Sequence, residues 1–422
     1  MPDTIELIAT GLFVIAVLHT FSTSFFEHLA HVQPAHRGLW HLLGEVEVVF
    51  GFWAFILILV MYAMLGPKEA IHYIESRNFT EPAFVFVIMV MAASAPVLAL
   101  TSRILETAAS ALPLPAGMAF YVTVLTSAPL LGSLITEPAA MTVAALLLRD
   151  RYFRGASPAF QYATLGTLFV NISVGGTLTT FAAPPVLLVA GPWGWDVSYM
   201  LANFGWRAVI VTAVNAALVT WLNRSELAQK ASQPALPSRE ARIPAPWVVT
   251  VIHLLFILLA VLLLHHPIMF IALFLLFLGF TDAYPRHQQP LILREALLVA
   301  FFLAGLVVLG GSQRWWLQPI LQDMPPGVLF YGALALTAVT DNAALTYLGS
   351  LVDGTTEEFR YALVAGAIGG GGLTVIANAP NPAGVAILKG TFKEGAISAL
   401  GLARAALLPT LVVIMIFWWL PF

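Results

Sequence analysis

The sequence predicts an all-α polytopic membrane protein made of two inverted repeats, each with about five spans, a re-entrant helical hairpin and a discontinuous helix. Three observations predict this fold class. The composition is too apolar for a soluble protein, a pair of short motifs occurs twice in the same order, and the basic residues separate into two sets of loops.

Composition places the chain in a bilayer. Hydrophobic residues make up 59% of the 422 residues and charged residues only 10%, against about 25% charged residues in an ordinary soluble domain. The mean hydropathy is +0.88. The absence of cysteine excludes disulfides, thiolate metal sites and cysteine nucleophiles. The net charge of −3 gives no reason to expect nucleic-acid binding.

Apolar runs define the predicted elements of the first repeat, 1–222. They are 5–26, 44–65, 82–101, a short pair at 117–134 and 138–148, an interrupted span at 158–190, and 198–222. A polar stretch at 223–246 predicts a linker between the repeats. The stretch 27–47 is interpreted as an interfacial loop. Its histidines (His28, His31, His36 and His41) leave metal binding and pH sensing as alternatives.

The second repeat, 247–422, has the same order of elements. They are 247–264, 267–281, 293–310, a short pair at 327–340 and 343–352, an interrupted span at 358–388, and 396–420. The second arm of each short pair is too short to cross about 30 Å of hydrocarbon, so each pair predicts a re-entrant hairpin. Each half then crosses the membrane an odd number of times, which makes the second half inverted relative to the first.

Basic residues support that topology. One predicted side carries Arg37, Arg103, Arg149, Arg151, Arg154, Arg224, Lys230, Arg239, Arg242, Arg286, Arg294, Lys389 and Lys393. The opposite loops carry only Lys68, Arg77, Arg314 and Arg360, with Arg207 near that side. The positive-inside rule makes the richer side cytoplasmic. The sequence therefore predicts a protein of the cell inner membrane, with both termini outside and the linker cytoplasmic.

A repeated acidic motif marks the hairpin tips. TEPAAMT at 136–142 is repeated as TDNAALT at 340–346, so that Glu137 and Asp341 lie between apolar arms. A bare charge there costs roughly 3 kcal/mol or more, which favours a cavity, a partner or a bound cation. Capping of the second arm is the structural alternative, and it is compatible with cation binding. Asn342, Thr136 and Thr340 would add neutral oxygen atoms at the same depth.

Glycine-rich breaks follow the hairpins. GGTLTTFAAPP at 175–185 corresponds to GGGLTVIANAPNP at 370–382. Glycine and proline weaken a helix, and an unwound segment exposes carbonyls that coordinate Na⁺. Close helix packing by small residues is the alternative explanation. The candidate ligands and break residues are Gly175, Gly176, Thr177, Thr179, Gly371, Gly372, Thr374, Asn378 and Asn381.

These motifs resemble those of the ion transporter superfamily, which includes NhaD-type sodium/proton antiporters, ArsB-type arsenite transporters and sodium-coupled dicarboxylate carriers. The chain is most similar to a group described as Na⁺/H⁺ antiporters, over nearly its whole length. The resemblance implies an outer scaffold domain, a transport domain that carries the hairpins, and a homodimer. The dicarboxylate carriers have Ser-Asn-Thr at both tips. Glu137-Pro138 and Asp341-Asn342 depart from that pattern, and fixed carboxylates would repel a dianion.

The favoured function is secondary Na⁺/H⁺ antiport, in which Asp341, Glu137 or both bind either Na⁺ or a proton. Membrane lipid, monovalent cations and protons are the expected partners, and no cofactor is expected. The alternative is a Na⁺-coupled or proton-coupled carrier of an anion or organic acid, for which the intramembrane Arg404 or Arg207 would supply a positive charge. An enzyme is not expected, because the chain contains no nucleotide-binding loop and no nucleophile elbow.

Overall fold

The computed structural model describes residues 3–231 and 245–420, which form helices and turns without a β-strand among them. The helices of the first half are α1 (Thr4–Thr20), α2 (Thr23–Val32), α3 (Arg37–Leu43), α4 (Val46–Leu65), α5 (Pro67–Glu75), α6 (Thr80–Ala92), α7 (Ala95–Ser110), α8 (Ala116–Ile135), α9 (Glu137–Leu148), α10 (Pro158–Gly175), α11 (Pro184–Trp193), α12 (Val197–Met200), α13 (Trp206–Leu222) and α14 (Arg224–Ala231). A π-helical turn, Leu201–Gly205, joins α12 to α13.

The second half contains α15 (Trp247–Leu262), α16 (Pro267–Ala283), α17 (Leu293–Gly310), α18 (Arg314–Leu321), α19 (Pro326–Thr337), α20 (Asn342–Ser350), α21 (Glu357–Gly370), α22 (Asn381–Leu388) and α23 (Ala399–Ile414). The π-helical Met415–Trp419 extends α23. Several helices begin with proline in the first turn, where its missing N–H costs no intrahelical hydrogen bond. The chain is therefore an all-α protein, as the sequence predicts.

Five of the described helices are long and apolar enough to cross a membrane: α4, α8, the continuous α12–α13, α17 and α23 with its extension. Shorter apolar helices are α1, α15, α16 and α19. Apolar side chains on α15 and α16 face outward, and Ile268 is 85% exposed. This exposure suits contact with lipid tails. The chain is thus a multi-pass membrane protein. The number of crossings in each half and the inside–outside assignment stay predictions.

The predicted span 82–101 is divided between two helices. It consists of α6 and α7, which bend by 67° at a short break. Ser94 has an extended backbone, φ −68° and ψ 148°, and Pro96 follows within the first turn of α7. In a continuous helix Pro96 would lack the N–H that bonds to the carbonyl of Ala92, and its ring would clash with that carbonyl, which explains the bend.

Two other segments differ from their predictions. The stretch 27–47 contains the helices α2 and α3 rather than a loop. No group of three or more His, Cys, Asp or Glu side chains placed to hold a metal ion occurs among the described residues. The predicted linker 223–246 begins as α14, whose Leu227 is buried. Residues 232–244, with Arg239 and Arg242, lie outside the described residues.

The hairpins and interrupted helices occur in matching order in the two halves. The helices α8 and α9 form the first hairpin, and α19 and α20 form the second. Helix α10 is separated from α11 by one break, and α21 from α22 by the other. The first arm of hairpin 1, α8, is itself long enough to cross a membrane. The inverted relation between the halves stays a prediction.

The two halves pack against each other reciprocally. Helix α11, after the first break, packs on α20 of the second hairpin, and α22, after the second break, packs on α9 of the first hairpin. The buried helices α10 and α21 contact each other between these pairs. This exchange brings the tip of hairpin 1 to the second break, which belongs to the other half of the sequence.

Candidate functional site

The tip of hairpin 1 is a one-residue turn at Thr136, between α8 and α9. Thr136 has φ 72° and ψ 150°, and it is the only non-glycine residue with positive φ in the described part of the chain. Such a conformation costs a β-branched residue about 1–3 kcal/mol, and residues of this kind cluster at functional sites. Its hydroxyl is buried and bonds to no other described group. The tip is therefore strained and presents a free oxygen to the interior.

Glu137 directly follows this tip and is fully buried. Its Oε2 accepts a hydrogen bond from Asn378 Nδ2 at 3.0 Å, across 241 residues of sequence. No donor within the described residues reaches its Oε1. Unlike a capping acid, Glu137 makes no side-chain cap bond to α9. One carboxylate oxygen is consequently held by the opposite half, and the other is available to a ligand.

The first break fits closely around Glu137. A Cβ at Gly176 would lie 2.6 Å from Glu137 Cγ and 2.9 Å from Cδ, and would also contact Oε1. At Gly175 the corresponding space is filled by the backbone of Pro129, at 2.5 Å. Gly175 therefore serves close helix packing, whereas Gly176 makes room for the carboxylate.

Asp341 at the tip of hairpin 2 is a capping residue. It is the N-cap of α20, and its Oδ1 accepts hydrogen bonds from Ala343 N at 2.8 Å and Ala344 N at 3.2 Å. The capping alternative is thus confirmed for Asp341. The side chain is half-buried and lines two cavities, so that capping leaves it accessible to a cation.

The two hairpin tips differ by one residue in where the second helix begins relative to the acid of the motif. Glu137 is the first residue of α9 and Asn342 is the first residue of α20, whereas Thr136 and Asp341 precede them as N-caps. Both first residues are fully buried. Motif alignment pairs Glu137 with Asp341, but by position in the helix Glu137 corresponds to Asn342. The two tips therefore carry their acids at different depths.

Asn342 lies beside the second break. Its backbone N–H donates to Ala377 O at 3.1 Å, and a Cβ at Gly371 would lie 3.0 Å from its Nδ2. Neither atom of its buried side-chain amide has a partner among the described groups. An unpaired buried polar group costs about 1–3 kcal/mol, so an amide in this position calls for a ligand.

Asn381 organises the second break from within. Its Nδ2 donates to Gly371 O at 2.8 Å and to Thr374 O at 2.9 Å. Gly372 packs on α10, where a Cβ would lie 2.5 Å from Val170 Cα. The second break thus combines tight packing at Gly372 with an ordered, non-helical backbone around Asn381.

A cavity of about 320 Å³ reaches the second break from the protein surface. Its polar lining comes from Glu45, Glu47, Asp341 and Asn378. Asn378 is 1% exposed, and its Oδ1 is unpaired within the described structure. Since Asn378 also donates to Glu137, it connects the cavity to the buried acid.

Asp341 also lines a second, apolar cavity of about 190 Å³, which includes Thr340. The two carboxyl groups, those of Glu137 and Asp341, lie within electrostatic range of each other. The structure thus brings Glu137, Asp341, Asn342, Asn378, Gly176 and Gly371 into one contiguous region.

The candidate threonines serve mainly to hold the backbone. Thr177 donates to Val174 O, Thr179 to Ser133 O, Thr340 to Leu336 O and Thr374 to Ala338 O. Each hydroxyl oxygen still has lone pairs, but its proton is committed to a carbonyl. Thr136 differs from them because its buried hydroxyl has no described partner.

Sequence reasoning missed Ser133 and Thr337. Ser133 Oγ donates to Gly175 O at 2.7 Å and accepts from Leu178 N at 2.9 Å, so that it ties hairpin 1 to the first break. Thr337 is fully buried, and its hydroxyl has no partner among the described groups. Each lies four residues before the acid of its motif. Extending the repeated motif toward the N-terminus would have revealed both.

The two arginines considered for an anion differ in exposure. Arg404 is exposed on α23. Arg207 is buried, donates to Asn203 O at 2.8 Å and lies over the Trp206 ring at 4.3 Å. Its guanidinium group also lies 5.6 Å from the Tyr361 ring of α21, and these contacts fit the structural role of an intramembrane arginine.

Comparison with known proteins identifies a family over nearly the whole chain. A family model described as "Putative Na+/H+ antiporter" matches residues 4–420. No curated protein matches the chain. The matched region contains both hairpins and both breaks. The chain therefore belongs to this Na⁺/H⁺ antiporter family, and the protein is a multi-pass membrane antiporter of cations and protons.

Proposed function

We propose that the protein exchanges Na⁺ for H⁺ by competition at Glu137 and Asp341. An ionised carboxylate binds the cation, and a protonated one releases it, so occupation of the same oxygens couples the two ions. The observation that carries this proposal is the fully buried Glu137, with one oxygen bonded to Asn378 and the other free of described donors. A bare carboxylate at membrane depth costs roughly 3 kcal/mol or more, and either a cation or a proton removes that cost.

Neutral oxygen atoms in the region of the hairpin tips and the second break support a hard monovalent cation. Thr136 Oγ1, Asn342 Oδ1 and Asn378 Oδ1 are buried and unpaired within the described structure. Oxygen donors of this kind suit hard cations, and the unwound breaks add backbone carbonyls. Because a carboxylate is the only titrating ligand in this set, one proton would displace one cation without a cofactor.

Asp341 has a different position and, in this proposal, a different role. One of its oxygens holds the start of α20, and the residue lines the cavity that leads to Asn378. We propose that Asp341 receives the cation from the cavity and that Glu137 holds it at the centre. Both acids then titrate during the cycle, Glu137 as the inner group and Asp341 as the outer group.

The test measures proton release from inside-out vesicles with a pH-gradient dye after Na⁺ is added. Glu137→Gln keeps the size of the side chain but cannot bind or release a proton, so we expect exchange to be abolished in a folded, inserted protein. Asp341→Asn retains the capping oxygen, and exchange should also be lost. Asp150→Asn is the matched control, because Asp150 pairs with Arg149 outside the site at 2.9 Å. Exchange at the wild-type rate in Glu137→Gln would place the coupling acid elsewhere.

The same vesicles address the anion alternative. If wild-type protein responds to Na⁺ only when an organic anion is supplied, the protein is a coupled anion carrier rather than an antiporter. The homodimer, the inner-membrane location and the outward termini stay predictions.

A further inference from the structure

Two more acidic residues line the cavity between the protein surface and Asp341. Glu45 is the N-cap residue of α4, and Glu47 lies in its first turn. Both line the cavity of about 320 Å³ together with Asp341 and Asn378. Glu47 is half-buried and lies within electrostatic range of Asp341. Three carboxyl groups are thus arranged along one route from the surface to the second break.

The outer acid of this route, Glu45, belongs to an ion pair. Arg294, at the start of α17, contacts Glu45 Oε1. The arginine side chain is 66% exposed and the glutamate side chain 26%, which places the pair at the mouth of the cavity. The other oxygen, Glu45 Oε2, is buried and has no partner among the described groups. Arg294 therefore satisfies only half of the Glu45 carboxylate.

Helix geometry alone does not account for this arrangement. An acid in the first turn of a helix is stabilised by the helix dipole, which explains why Glu47 is tolerated at its position. The dipole does not require Glu47 to share a cavity with Asp341. A separate observation at the inner end of the cavity points to a ligand: Asn378 is 1% exposed and lines the cavity, and its Oδ1 lacks a described partner.

We infer that Glu47 and Glu45 form an entry site for a partly hydrated monovalent cation, from which the cation passes to Asp341. This inference rests on the proposed Na⁺/H⁺ exchange. In the entry site, Glu47 supplies the inner oxygen ligands and Glu45 the outer ones. Arg294 competes with the cation for Glu45, so the ion pair limits access to the cavity.

The entry site has a property that distinguishes it from the central site: it serves only one face of the membrane. Glu47→Gln should raise the Na⁺ concentration for half-maximal exchange by roughly three- to tenfold, the effect of one unit charge in a partly hydrated site. This increase should appear when Na⁺ is supplied from the face to which the cavity opens. The maximal rate should be retained, and Na⁺ supplied from the other face should act as in the wild type.

Arg294→Gln should lower the Na⁺ concentration for half-maximal exchange, whereas Glu47→Gln should raise it. It frees Glu45 for the cation, so half-maximal exchange should require less Na⁺ from the same face. Folding should survive, because the guanidinium group of Arg294 is largely exposed and an ion pair at the surface contributes little to stability. Glu295→Gln is the matched control: Glu295 is an exposed acid in the first turn of α17, adjacent to Arg294. Glu295→Gln should change neither the Na⁺ concentration for half-maximal exchange nor the maximal rate.

The experiment uses full-length protein in inside-out and right-side-out vesicles, with NaCl as the only added cation salt. A Glu47→Gln protein that is unchanged from both faces, or inactive from both faces at all Na⁺ concentrations, would overturn the entry site. An increase in half-maximal Na⁺ for Arg294→Gln would also overturn it. If the wild-type protein itself shows no Na⁺-driven proton movement, the proposed exchange fails instead, and that outcome is distinguishable because it needs no variant.

Discussion

Removing the amide of Asn378 tests the connection between the two halves at the site. In Asn378→Ala, Glu137 Oε2 loses its hydrogen-bond donor at 3.0 Å and the cavity loses one buried oxygen. A hydrogen bond to a charged group contributes about 1.5–3 kcal/mol. At 1.36 kcal/mol per factor of ten, this corresponds to a roughly 10- to 150-fold loss of apparent Na⁺ affinity at fixed pH.

The position of Asn378 favours the lower end of that range. Asn378 lines the cavity of about 320 Å³, and water that enters the vacated space replaces part of the lost hydrogen bond. We therefore expect about a tenfold increase in the Na⁺ concentration for half-maximal proton release, with the maximal rate partly retained. The assay is a Na⁺ titration of the pH-gradient dye signal in inside-out vesicles, at one pH.

The control for this variant is Asn203→Ala. Asn203 Nδ2 donates to Tyr199 O at 2.9 Å within its own helical segment, so the same amide is deleted outside the site. Its Na⁺ dependence should match that of the wild type. An Asn378→Ala protein with unchanged Na⁺ dependence and reduced thermal stability would refute the reasoning, because Asn378 would then serve only to pack the break.

Three further predictions concern the tip and the breaks. In Gly176→Ala, a Cβ 2.6 Å from Glu137 Cγ displaces the carboxylate, so the exchange rate should fall at least tenfold in a folded protein. Gly332→Ala, where a Cβ meets nothing within 4 Å, should remain active, and equal activity of the two variants would contradict the close fit. Thr136→Gly relieves the positive φ and should raise the free energy of unfolding by about 1 kcal/mol, after the entropy cost of glycine. It should also raise the Na⁺ concentration for half-maximal proton release, because the hydroxyl oxygen is removed. A lower melting temperature in detergent would show that Thr136 is unstrained. Gly371→Leu should reduce the yield of folded protein measured by size-exclusion chromatography, because a Cβ there already meets α10; a normal yield would mean that the break tolerates bulk.

Local features of the chain were enough to predict the class and order of the elements. Apolar run lengths, glycine and proline placement and the repeated acidic motifs are local properties, and they predicted an all-α membrane protein with hairpins followed by breaks. The bend between α6 and α7 was missed although Pro96 signals it. An apolar run continues through such a break without a change in hydropathy, so hydropathy alone merges the two helices.

Which polar groups meet depends on how the helices of the two halves pack. The bond from Asn378 to Glu137 joins residues 241 positions apart, and nothing in either local sequence specifies that pairing. The motifs align Glu137 with Asp341. In the structure, however, Glu137 and Asn342 are each the first residue of their helix, and Asp341 is an N-cap that lines a cavity. The match between the two motifs depends only on the order of residues in the sequence. Burial depth and hydrogen bonding depend on where each helix begins and on which helices of the other half pack against it.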